Sequence, residues 1–261
     1  MFTRPRLALL LYAVAMGYLE AAVVVYLRAL YYPEGFSFPL VPMESRLVAI
    51  EMGREAATVV MIFAIAWAAA RSGWQTLTGF ALVFGVWDIV YYVGLWFLLG
   101  WPASLVEPDV LFLIPAVWVG PVLAPSLIAL SMSVAAWVLW PMDYRVIAPR
   151  AWEWALMAVA GVVLVATFIV PAASAGVTHL GEGISLPEVS YPWWGWMIGE
   201  GTAVFLAVRW WMRGRAGHGD LLVGHRTIPP VRSPWRTRRV SGSRPLWYGT
   251  GCRRVWVRHS A

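Results

Sequence analysis

The chain alternates long apolar runs with short polar connections. Hydrophobic runs cover residues 7–31, 47–70, 77–99 and 110–139, and two shorter ones cover 154–170 and 194–211. A helix of a soluble domain needs only one apolar face. Runs of about 20 residues that stay apolar on all sides match the hydrocarbon thickness of a bilayer. The pattern predicts an all-α fold, a polytopic transmembrane helical bundle of about six spans. Residues 1–212 form this six-helix transmembrane domain. Residues 213–261 form an Arg-rich cytoplasmic tail that lacks apolar periodicity and is expected to be disordered.

Two of the runs have rival readings. Ala13-Val14-Ala15 resembles a signal-peptide cleavage site, but the apolar stretch continues well past it, which favours a retained span. The fourth run is longer than a ~30 Å core requires and contains Pro115, Pro121 and Pro125. Proline removes a backbone donor and clashes with the preceding turn. This predicts a short half-helix, a break near residues 117–120 and a full helix starting near Pro121. A single tilted, kinked helix is the plainer alternative.

Composition supports the membrane reading. Only 13% of the 261 residues are charged, against about a quarter in soluble domains. Trp occurs 18 times. Trp74, Trp101, Trp140, Trp152, Trp193, Trp194, Trp210 and Trp211 sit near run ends, where amphipathic rings form an interfacial belt. All 20 basic residues are Arg. Residues 1–212 hold 9 Arg against 13 acids, a balance of −4, and residues 213–261 hold 11 Arg against Asp220, a balance of +10. The net charge of +6 therefore describes an acidic body with a basic tail.

Orientation follows from Arg placement in short loops. Arg4 and Arg6, Arg71, Arg145 and Arg150, and Arg213 and Arg215 fall on alternate sides of successive spans. The opposite loops carry Glu34, Glu44, Glu107, Asp109, Glu182 and Glu188, with Arg46 the exception. Six spans make both sets consistent, with the two termini cytoplasmic and the protein integral to a membrane, expected to be a bacterial inner membrane.

Ionisable side chains inside spans are costly and mark candidate functional sites. They are Glu20, Glu51, Arg54, Glu55, Asp88 and Glu200, with Arg28 nearer a span end. Glu51 and Glu55 share a helix face, and Arg54 lies within reach of Glu51. Asp88 has Tyr91 and Tyr92 three and four positions on, so a phenol can approach its carboxylate. Gly17, Glu20, Ala21 and Val24 share a face on the first span, where small residues permit close helix approach. Glu200 lies between Gly199 and Gly201. The acids outnumber Arg28 and Arg54, and unpaired charge in a low dielectric costs several kcal/mol. Protons, a bound cation or water must offset the excess.

Several chemistries are excluded. Cys252 is the only cysteine, so no intrachain disulfide and no Cys-based metal cluster can form. His179, His218, His225 and His259 all lie outside the apolar runs, which rules out haem held by paired histidines within the membrane. No metalloprotease, nucleotide-binding or nucleophile-elbow motif stands in a suitable context. His179 with Glu182 makes too small a ligand set for a metal site. The sequence implies no cofactor.

The leading functional expectation is a proton- or cation-linked small-solute carrier. Its centre is Glu20, Arg54, Glu55 and Asp88, opening to the non-cytoplasmic side. The alternatives are a membrane-embedded enzyme acting on a lipid or isoprenoid by carboxylate acid/base chemistry, and a non-catalytic scaffold whose charges lock helix register. The expected partners are the lipid bilayer, anionic lipid headgroups at the Arg-rich tail, and a small-molecule substrate. Specific nucleic-acid binding is not expected.

Overall fold

The structure is a computed structural model that describes residues 3–34, 43–174 and 190–224. His179, Glu182, Glu188 and the tail from residue 225 onward lie outside the described residues. Within them run α1 (Arg4–Tyr31), α2 (Ser45–Ala69), α3 (Gly73–Leu99), β1 (Pro108–Phe112), β2 (Trp118–Pro121), α4 (Leu123–Leu139), α5 (Tyr144–Ile147), α6 (Ala151–Ser174) and α7 (Trp193–Gly224).

Three of the helices, α1, α3 and α6, are long and apolar enough to cross a membrane, and α4 is a shorter apolar helix. The helix α2 is of similar length but carries Arg46, Glu51, Arg54 and Glu55. α7 carries Glu200, Arg209, Arg213 and Arg215 and runs on past Met212 to Gly224, so the start of the expected disordered tail is helical.

Local signals fix the element ends. Ser72 caps α3 by accepting the Gln75 N–H at 3.2 Å, and the helix stops at Gly100, whose φ of 66° suits glycine. Asp143 caps the short α5 by accepting the Arg145 N–H at 2.8 Å. Pro125 stands in the first turn of α4, where its missing N–H would have no helical partner anyway.

Glycine sets the closest helix approach. A Cβ on Gly17 of α1 would lie 2.7 Å from the Trp87 carbonyl oxygen of α3, and one on Gly94 would lie 2.8 Å from the Ala21 methyl. The two helices therefore run parallel, backbone against backbone. α4 returns antiparallel to α3, and the Trp74 indole N–H donates to the Leu139 carbonyl at 3.0 Å. α6 and α7 pair antiparallel along Gly195, beside Thr167, and Gly199, beside Leu164.

The all-α expectation is corrected between α3 and α4. Where the sequence predicts a half-helix or one kinked helix, β1 and β2 form an antiparallel hairpin, with Asp109 opposite Gly120 and Val110 opposite Val119. The prolines explain it. Pro115 and Pro121 force Ile114 and Gly120 away from helical geometry, and Pro108 and Pro121 fall at the hairpin's outer ends, where a missing donor breaks little. Irregular backbone inside a helical bundle needs protein partners, and strand pairing supplies them. Phe112 at the inner end stacks on Phe84 of α3, with centroids 6.4 Å apart. Trp118 stacks on Phe168 of α6 at 6.1 Å.

The aromatic belt is also revised in part. Trp74, Trp140 and Trp210 are buried in helix packing, whereas Trp152 and Trp194 are exposed. The rings of Trp74 and Trp210 meet edge-on at 5.9 Å, and those of Trp154 and Trp210 lie 5.0 Å apart. Together with Leu139 and Ile147 they close one end of the bundle.

Candidate functional site: a charged cavity beneath the hairpin

A cavity of about 230 Å³ lies among α1, α2, α3, the hairpin and the start of α4. α1 contributes Glu20 and Arg28. α2 contributes Glu51, Arg54 and Glu55, one helical turn apart as their spacing requires. α3 contributes Asp88, Tyr91 and Tyr92, and β1 contributes Asp109. Pro125 and Ile128 bring the first turns of α4 to the wall, and Tyr31, Tyr32 and Met43 extend the cavity toward the α1–α2 end of the bundle.

Two ion-pair groups organise the polar side. Arg54 pairs with Glu20 across the α1–α2 interface and, through Nε at 2.9 Å, with Glu51 on its own helix. One guanidinium thus joins two carboxylates, using the fork geometry that lysine lacks. Arg28 lies 3.6 Å from Asp109 and stacks over the Trp101 ring at 3.8 Å. Tyr92 completes this second group by donating its phenol to Asp109 at 3.2 Å.

Two carboxylates stand outside those ion pairs. Glu55 is turned toward the hairpin and accepts the Leu113 backbone N–H, at 2.9 Å to Oε2 and 3.1 Å to Oε1. Asp88 is 8% exposed, and its Oδ2 has no hydrogen-bond partner. Trp87 and Trp118 also line the cavity, and their buried indole N–H groups are likewise without a protein acceptor. Buried polar atoms normally find partners, and these three belong to residues that line the cavity.

The charge count is lopsided. Glu20, Glu51, Glu55, Asp88 and Asp109 face Arg28 and Arg54. Full ionisation would leave an excess of three negative charges in surroundings walled by Phe84, Phe112 and Phe168. Such an excess must be offset by protons, by a cation or by water.

The structure therefore brings Glu20, Glu51, Arg54, Glu55, Asp88, Tyr91 and Tyr92 to one cavity. It does not bring Glu200 there. That carboxylate is buried on α7 near the Ser131 side chain of α4, away from the cavity lining. Two further members join the cavity, of which Asp109 escapes a reading by apolar runs and Arg28 was read only as countercharge. Asp109 reads as a loop acid and becomes buried only because the hairpin folds inward, and Arg28 reads as a span-end residue.

A separate network, also missed, lies at the opposite end of the bundle. Glu153 is 0% exposed. It accepts from the Arg150 backbone N–H at 2.9 Å, Arg209 Nε at 2.7 Å, Arg213 Nη2 at 2.6 Å and the Trp210 indole at 3.2 Å. The spacing of Arg209 and Arg213, one turn apart across the end of the sixth apolar run, was its trace in the sequence.

Helices of this length and apolarity around an internal charged cavity are compatible with an integral membrane protein. No protein-family model, curated protein or solved structure matches the chain.

Proposed function

We propose that the chain is a six-span membrane carrier that moves a small solute, coupled to a proton or another cation, through the cavity beneath the hairpin. In this reading α1, α2, α3, α4, α6 and α7 all cross the bilayer, with the Arg-bearing loops cytoplasmic and the hairpin entering from the other side. The observation that carries it is the convergence of five carboxylates and two guanidinium groups on one cavity. A scaffold that merely locks helices needs its charges paired. Here Asp88 and Glu55 stand outside the ion pairs, Asp88 with an oxygen that has no hydrogen-bond partner and Glu55 with one backbone donor. The first turn of α4 also reaches the cavity, where a helix N-terminus presents partial positive charge.

The test is solute uptake and proton flux in proteoliposomes carrying the full chain, compared with Glu55→Gln and Asp88→Asn. Each substitution keeps the side chain's shape and removes its charge. Flux reduced about tenfold or more in either variant supports the carrier; flux unchanged in both overturns it.

A further inference from the structure

We propose that the cavity's ligand is a small organic ammonium cation, held with its charged head between the Asp88 carboxylate and the faces of surrounding aromatic rings. The inference rests on the carrier reading for its biological setting and adds the substrate class.

Sign comes first. Of the five cavity carboxylates, Glu20, Glu51 and Asp109 are matched with Arg54 and Arg28. Glu55 serves the hairpin through Leu113. That leaves Asp88, more than nine-tenths buried, with an oxygen that has no partner. A buried carboxylate with one oxygen lacking a partner is a point of attraction for a cationic donor.

The walls decide which cation. Phe84, Tyr91 and Tyr92 stand four before, three after and four after Asp88 on α3, so they share its helix face. The Phe84 ring lies 5.2 Å from Trp87 and 6.4 Å from Phe112, and Phe112 lies 5.6 Å from Trp118. Aromatic faces attract a weakly hydrated ammonium through the ring quadrupole, and a ring of them is the usual way to recognise alkylated nitrogen. A strongly hydrated metal ion needs several oxygens at once, and among the described residues no three acidic, His or Cys side chains are grouped to hold one. The volume of about 230 Å³ suits a compact ligand.

The experiment uses the full chain in nanodiscs, with tetramethylammonium, choline and methylammonium as probes and sodium acetate and glucose as comparators. Binding is followed by calorimetry and by the fluorescence of the cavity tryptophans. Saturable binding of the ammonium probes is expected, weakened at least tenfold in Asp88→Asn and unchanged in Glu34→Gln, an exposed acid outside the cavity. Phe84→Leu keeps the charge and removes a ring, and is expected to weaken tetramethylammonium several-fold more than methylammonium. It also serves if Asp88→Asn fails to fold.

Absence of saturable ammonium binding to the folded wild-type chain overturns the inference. So does equal binding in both cavity variants. Asp88-dependent uptake of glucose or acetate without ammonium binding would sink the inference while leaving a carrier. Ammonium binding without any flux would leave the site and remove the carrier.

Discussion

Glu55 on α2 holds the Leu113 backbone N–H at the inner end of the hairpin, with both carboxylate oxygens within 3.1 Å. A side chain from one helix thus supplies the acceptor that a strand partner would supply in a wider sheet. Glu55→Ala leaves that buried N–H without an acceptor, which costs about 1–3 kcal/mol. Glu55→Gln keeps a carbonyl oxygen in place and is expected to cost less. Thermal unfolding of the two purified variants should rank them in that order below the wild type, and an alanine variant as stable as the parent would contradict this role.

The Glu153 network should dominate stability at the other end. Glu153 is fully buried, whereas the Arg209 and Arg213 side chains keep 34% and 26% of their surface exposed. Water therefore screens part of the interaction, and removing one partner costs less than the ~3–5 kcal/mol of a fully buried pair. Glu153→Ala strands Arg209 and Arg213 at once and is expected to lower the unfolding temperature more than either Arg→Ala variant does. Ammonium binding by whatever fraction folds should be unaffected, since this network lies apart from the cavity.

Gly17 and Gly53 offer a matched contrast. Both are helical, but a Cβ on Gly17 would press on the Trp87 carbonyl at 2.7 Å, whereas one on Gly53 would meet nothing within 4 Å. Gly17→Ala forces α1 from α3 and is expected to destabilise by about 1–3 kcal/mol, as overpacking does. Gly53→Ala gains helix propensity and is expected to stabilise by up to about 1 kcal/mol. Melting curves measured side by side in the same detergent would show opposite shifts.

The six-span arrangement can be read by labelling. In a Cys252→Ser background, Ala103→Cys sits in the exposed loop after α3 and Ala151→Cys at the exposed start of α6. An impermeant thiol reagent added outside intact cells should modify position 103 and spare position 151 until the membrane is opened. Labelling of both positions from one side would overturn the arrangement.

Apolar runs made most of the helical body legible, because a segment that suits hydrocarbon must satisfy its own backbone. Helical spacing also foretold that Arg54 reaches Glu51. It pointed a phenol at Asp88, whereas Tyr92 donates to Asp109 of the hairpin instead. The hairpin was not legible. Leu111, Phe112 and Leu113 are as oily as any span, and oiliness alone does not say whether backbone donors are met within a helix or across a ribbon. Depth along a run says nothing about azimuth, so Glu200 reads like Glu20 although the structure sends it elsewhere. Glu153 lay one residue outside its run, and its burial depends on two arginines some sixty positions away.

Between the end of β2 at Pro121 and the start of α4 at Leu123 there is only Val122. The ribbon and the helix are therefore directly joined, with α4 on one side of Val122 and the hairpin on the other. Rocking of α4 against α3 would pull on the ribbon, and with it on the Leu113 N–H that Glu55 holds. Movement at one end of the bundle would in this way be felt at the chamber without any chain of side chains to relay it.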